Sequence, residues 1–195
     1  MTISLKWSDR IILAALLIAP FISAASAADV ESWKLDPAKS RLGFFGTQTG
    51  TRFEGTFTRY STVIAFDPND LADSHITVTV DLASAVSGDT QRDTALPGKD
   101  WFNVAEFPQA KFETTAIQKE GANAYEAVGN LTLRGVTKPL TLPFTLEING
   151  TTAHAQGHVD LVRTAFGVGQ GPWATGQWVA LDVGVNIDIV ATRGN

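Results

Sequence analysis

Between Gly129 and Phe144 the chain reads GNLTLRGVTKPLTLPF, and its apolar residues recur at every second position on both sides of Arg134-Gly135. Side chains alternate across a strand. Period two therefore puts Leu131 and Leu133 on one face of one strand, and Leu140, Leu142 and Phe144 on one face of the next. The same period runs through HITVTVDL (Ile76, Val78, Val80, Leu82), LTLPFTLEI (Leu140 to Ile148) and VGVNIDI (Val183, Val185, Ile187, Ile189). Shorter runs pair Leu42 with Phe44, Phe53 with Gly55 and Phe57, Phe112 with Thr114 and Ala116, and Val159 with Leu161. Turn residues punctuate them at Asp67-Pro68-Asn69-Asp70, Lys119-Glu120-Gly121 and Asn149-Gly150; Asn-Gly between alternating runs is a strong hairpin signal. The pattern predicts an all-β, antiparallel fold of about eight strands, eight or nine by count of the runs. Pro139 and Pro143 fall on the polar parity and each removes a ladder donor, which predicts an edge, a bulge or a barrel rim. Lys138 shares the parity of Leu140; a solvated rim position is expected, with the strand starting just after it.

Two stretches do not alternate. Ser87 to Gln109, SGDTQRDTALPGKDWFNVAEFPQ, is long, charged and aromatic-bearing. A short helix near Asp89–Leu96, capped by Ser87 or Asp89, is predicted there. Connections of this length usually wrap or cover a functional site. The other is FGVGQGPWATGQW, Phe166 to Trp178.

The first residues have the order expected of an export signal. Lys6 and Arg10 precede the apolar run Ile11–Ala24, and Ala25-Ser26-Ala27 forms an A-x-A cleavage site. Residues 1–28 are expected to be a signal peptide and 29–195 one domain, placed in the periplasm. Cleavage removes Lys6, Arg10 and Asp9 and leaves 13 basic against 19 acidic residues. That balance argues against nucleic acid as a partner. The chain has no cysteine, so thiol nucleophiles, thiolate metal sites and disulfides are excluded.

Catalytic and metal signatures are weak. His154 and His158 share a strand face but stand about 13 Å apart at the strand rise, too far to bind one metal. Gly167–Gly171 lacks both the G-x-G-x-x-G order and a βαβ setting. Asp89 and Asp93 beside Arg92 fit helix capping and surface pairing better than acid–base chemistry. No metal site, no catalytic residue and no cofactor is expected. What remains is a greasy interior, with Trp101, Phe102, Phe107, Phe166, Trp173 and Trp178 outside the strands. An eight-stranded barrel is wide enough either to fill with side chains or to hold one small ligand. The small residues Gly55, Gly129, Gly157 and Ala116, on or near inward positions, favour a cavity.

WKLDPAKSRLGFF, FEGTF, FDPNDL, RDTALPGKDWFNVAEFPQAKF and GNLTLRGVTKPLTL, in this order and spacing, resemble the YceI-like, polyisoprenoid-binding family over Ala28 to Arg193. The resemblance implies an extended, lipocalin-like barrel in the bacterial periplasm. It implies a bound isoprenoid lipid, a polyprenyl chain or a ubiquinone tail, in an apolar channel. Many members have a histidine shortly after the Arg-Asp pair; here Thr94 and Ala95 follow Arg92-Asp93, so no role of that histidine carries over. GQGPWATGQW resembles a subgroup associated with membrane cytochromes, which implies a transient cytochrome partner. A tail longer than one barrel would suit a homodimer.

The ligand-binding residues expected are Phe44, Phe53, Phe57, Val78, Val80, Phe112, Leu131, Leu133, Leu142 and Phe144 along the channel. Trp101, Phe102, Phe166, Trp173 and Trp178 are expected near its entrance. Two other readings stand beside the binding protein. An outer-membrane barrel would turn its apolar residues outward. An enzyme or electron-transfer accessory acting on a quinone head group would draw on Arg92, Asp93 and His158.

Overall fold

The structure, a computed structural model, describes residues 30–194; the expected signal peptide, residues 1–28, lies outside the described residues. Eleven strands follow in chain order: β1 (Ser32–Leu35), β2 (Arg41–Gln48), β3 (Thr51–Phe57), β4 (Tyr60–Asp67), β5 (Asp70–Asp81), β6 (Ala85–Val86), β7 (Gln109–Lys119), β8 (Ala124–Leu133), β9 (Val136–Asn149), β10 (Thr152–Val162) and β11 (Asp182–Arg193). The short helix α1 (Thr90–Ala95) follows β6. All the pairings are antiparallel, and β1–β4–β5–β7–β8–β9–β10–β11 closes on itself through β1–β11, a ring of eight. The all-β, lipocalin-like barrel is therefore the fold.

The strand count exceeds the eight or nine expected because two long strands are broken. β1 and β2 lie end to end along β11, which pairs β2 at Gly184–Asp188 and β1 at Ala191–Arg193. β3 and β4 are one path interrupted at Thr58-Arg59, where the edge amides bond Ser84 instead of a strand. Beyond that break β2 and β3 carry the sheet to β6.

Local chemistry sets the turns. Arg134 and Gly135 sit at φ 51° and 74°, the two left-handed residues of a type I′ hairpin. Leu133 and Val136 are its closing pair. β9 therefore begins at Val136, before Lys138, not after it as expected. At the next hairpin Asn149 stays in the strand and Gly150, at φ 60°, leads the turn. Helix α1 is capped by Asp89, whose Oδ1 accepts from the Arg92 amide at 2.9 Å. A bulge between Thr114 and Ala116 flips the parity of β7. Ala116 is exposed and Ile117 is buried instead, so Ala116 is not an inward position.

Inward side chains form two apolar clusters. One, around Trp33, Phe66, Tyr125 and Phe144, plugs the end where β9 turns into β10; Trp33 Nε1 donates to the Phe66 carbonyl at 2.9 Å. The other, around Leu82, Leu96, Phe102 and Phe166, lies toward the opposite end, the mouth. Outward positions such as Thr79, Lys111, Glu113, Thr141 and Glu147 are polar. That is the reverse of the lipid-facing band a membrane barrel needs.

Candidate ligand-binding cavity

The barrel interior is hollow in two places. A cavity of about 200 Å³ lies toward the mouth, and one of about 110 Å³ toward the closed end. Leu42, Val78, Phe112, Leu142 and Ile187, from five strands, border both and form the neck between them. Interiors pack at crystal density with few voids above the size of a water. Voids of this size lined almost wholly by aliphatic and aromatic groups offer water few partners.

The strand period places the wall residues that the strands contribute. Phe44, Phe53, Phe57, Val78, Val80, Phe112, Leu131, Leu133 and Leu142 line the mouth-side cavity, with Trp101, Phe102 and Phe166 from the connections. Phe144 lies deeper and borders the closed-end cavity. Phe57 links two rings, at 5.1 Å from Phe44 and 6.1 Å from Phe102. Trp173 and Trp178 border neither cavity. Trp173 packs against Trp101 at 5.6 Å between centroids. Trp178 is 49% exposed, and its carbonyl accepts from the Thr49 amide. Outside regular strands no period tells which way a tryptophan points.

The glycines expected to leave room do not. The space at Gly55 is taken by the Phe44 ring, at Gly129 by the Glu113 backbone at the bulge, and at Gly157 by the Pro143 carbonyl.

The mouth is fastened by a residue that the alternation does not mark. Arg163 is 2% exposed and has no carboxylate partner among the described residues. Its guanidinium donates to five carbonyls: Ala180 (2.9 Å), Val168 (2.8 Å), Gly169 (3.3 Å), Trp173 (2.6 Å) and Val179 (2.7 Å). Burial lowers its pKa from the ordinary value; an arginine stays charged regardless. The Gly169 and Gln170 amides both donate to the Asp100 carbonyl at 2.8 Å, and Arg134 donates to the Lys99 carbonyl at 2.8 Å. The two irregular connections and the β8–β9 turn are thereby tied together.

Polar chemistry at the closed-end cavity is limited to β4. Tyr60 and Thr62 border it, and their hydroxyls are buried without hydrogen-bond partners among the described residues. Burial, and then the charge of Asp188, push the Tyr60 pKa up, so the phenol is neutral at any ordinary pH. Arg92 and Asp93 meet at one hydroxyl, and His158 belongs to a separate set. Arg92 donates to Ser87 Oγ at 2.8 Å and Asp93 accepts from the same hydroxyl at 2.6 Å. That bond, ahead of the backbone amides of Ser87 and Gly88, lowers the Asp93 pKa. His158 stacks on Phe45 and contacts Asn186 at 2.8 Å, while His154 pairs with Asp188 at 2.6 Å. Lys138 is exposed and lies opposite Leu131. Such walls hold a ligand by shape and area.

Known proteins share this fold. The family model described as "YceI-like domain" matches residues 33–191. A UPF0312 protein of Yersinia pestis is 42% identical over 88 residues, and the chain spans about half the length, 45%, of such curated relatives. The crystal structure of BcnA from Burkholderia cenocepacia is 36% identical, with a TM-score of 0.79 over 82% of this chain and all of that one. A polyisoprenoid binding domain from Saccharophagus degradans, implicated in plant cell wall breakdown, shares the fold at a TM-score of 0.67 with 14% identity, over 86% of this chain and all of its own.

Proposed function

The chain belongs to the YceI-like domain family, and on that premise we propose that it is a periplasmic binding protein for an isoprenoid lipid. It holds a polyprenyl chain or an isoprenoid-quinone tail inside the barrel, as a carrier, scavenger or store. The observation that carries this reading is the necked pair of apolar cavities along the barrel axis. An isoprene unit brings five carbons and no hydrogen-bonding group. At about 0.8 kcal/mol per buried carbon, each unit contributes about 4 kcal/mol before ordering costs. A linear, branched, apolar chain suits two chambers in series better than a compact ligand does. The resemblance of the solved Saccharophagus domain supports the same ligand class.

Native mass spectrometry of protein purified from its own host, with organic extraction, is the test. A co-purifying polyprenyl or quinone mass is expected. Delipidated protein that takes up neither added polyprenol nor added quinone sinks the reading. Fractionation and N-terminal sequencing address export: the periplasmic fraction should hold a chain starting at Ala28 or Asp29.

A further inference from the structure

The barrel wall between β9 and β10 is laddered over only part of its length. Pairing runs from Asn149 and Thr152 to Phe144 and Gly157, and no ladder pair follows among the described residues. Both strands continue, β9 back to Val136 and β10 on to Val162, each still paired on its other side to β8 and β11.

The sequence supplies the reason. In a hairpin closed by a two-residue turn, the closing pair exchanges hydrogen bonds. Val136 closes the β8–β9 turn, so the even residues of β9 direct their amides at β8 and the odd residues at β10. Pro139 and Pro143 are both odd and have no N–H to give. The ladder ends at the residue after Pro143. At that fork a Cβ on Gly157 would stand 2.7 Å from the Pro143 carbonyl oxygen, so only glycine fits where the paired and unpaired segments meet.

The unladdered segments carry apolar side chains to the cavity. Leu140 and Leu142 on β9, and Val159 and Leu161 on β10, flank the seam and line the mouth-side chamber. Val136 and Val162, at its open end, are 37% and 46% exposed. The mouth, by contrast, is fastened. Opening it breaks the Gly169 and Gln170 bonds to Asp100, the Arg134 bond to Lys99 and the Arg163 bonds that hold the Val168–Ala180 segment in place. Opening the seam beyond Phe144 and Gly157 breaks no ladder pair among the described residues.

We propose that the β9–β10 seam is a lateral gate: the apolar chain of a lipid passes sideways between these strands while the mouth stays latched. This rests on the isoprenoid-binding reading above. The absence of cysteine allows a direct test. Continuing the register places Thr141 opposite Asp160 on the outer face. T141C/D160C closes the seam through a flexible bis-maleimide, and D100C/Q170C closes the mouth in a second protein. The probe is retinol, an isoprenoid alcohol that fluoresces in apolar surroundings. The seam-linked protein is expected to exchange retinol about tenfold more slowly than its unlinked form at nearly unchanged affinity, and the mouth-linked protein at the unlinked rate. Unchanged exchange in the seam-linked protein, or equal slowing by the mouth link, overturns the gate. An unlinked protein that takes up neither retinol nor added polyprenol or quinone overturns the binding reading itself, and the gate with it.

Discussion

Replacing Ala155 by isoleucine fills the closed-end cavity from its wall. Ala155 borders that cavity between Ile189 of β11 and Leu146 of β9. The substitution adds three carbons, worth about 2.4 kcal/mol if all are buried. Imperfect fit offsets about 1 kcal/mol of that, leaving a gain of about 1 to 2 kcal/mol in delipidated protein. For a domain of this size that raises Tm by roughly 3 to 6 °C. Binding should move the other way, and only for long chains. A ligand that loses one isoprene unit of contact below the neck forfeits about 4 kcal/mol gross, two to three orders of magnitude in affinity at about 1.4 kcal/mol per decade. Shorter chains end above the neck and keep their contacts. The assay is a titration of delipidated wild type and A155I with prenols of increasing length, beside thermal denaturation of both. A stability loss with uniform weakening refutes the reasoning, because it shows a site already full. Higher stability with unchanged binding at every length refutes it too, because the chain then never reaches the closed end.

Three further outcomes are expected. Arg163→Met strands five carbonyls and should cost about 3 to 5 kcal/mol, with new proteolysis between residues 163 and 181; lysine, with three donors, should recover only part, and a wild-type urea midpoint for the methionine variant would falsify the latch. Gly169→Ala should cost about 2 kcal/mol, because Gly169 sits at φ +80° and a Cβ there collides with the Arg163 guanidinium; a denaturation midpoint equal to wild type contradicts it. Tyr60→Phe removes a buried hydroxyl without a partner and should leave delipidated protein equally stable or about 1 kcal/mol more so. Because the folded-state pKa of Tyr60 is raised, its stabilisation is present below the unfolded value of about 10 and lost as pH rises through the folded value. Wild type should then lose more stability than Y60F in alkali, and parallel curves of midpoint against pH would count against the buried phenol.

Much of this architecture is written in the period-two pattern. Phe44, Phe57, Val78, Val80, Leu131 and Leu142 were assignable to the interior because alternation fixes a face wherever both neighbours are strands. The pattern fails where the period breaks. The bulge at Thr114 moved Ala116 outward, and no residue type announces a bulge of that kind. Trp178 lies in a connection and points to solvent. Arg163 directly follows an alternating strand and looks like a surface cation; its burial depends on carbonyls contributed by residues up to Ala180, which no local signal brings together. The prolines of β9 were legible as a break in pairing. Their common odd parity became decisive only once the turn at Arg134-Gly135 fixed which amides face β10.

Hollowness is encoded differently from the way glycine suggests. A glycine on a sheet invites its neighbours in: rings lie over Gly55 and over Gly184, and backbone closes on Gly129. A glycine there marks close approach and therefore a filled place. Alanine keeps a Cβ, which holds neighbours at van der Waals distance, yet reaches no farther into the barrel. Ala127, Ala153, Ala155 and Ala191 all border the closed-end cavity, from β8, β10 and β11. Ala127 and Ala191 are only 2% and 4% exposed, so the space in front of them belongs to the interior. Across the ring, on β4 and β5, stand Ile64, Phe66 and Ile76, too few large groups to span it. Alanines clustered on the inward parity of adjacent strands, facing large aliphatics across the barrel, are thus the sequence mark of a chamber here. The mouth-side chamber lacks that cluster and instead is roofed by Trp101, Phe102 and Phe166 from outside the strands. The two chambers therefore respond to different substitutions: the closed end to alanine enlargement, the mouth side to the connections that cover it.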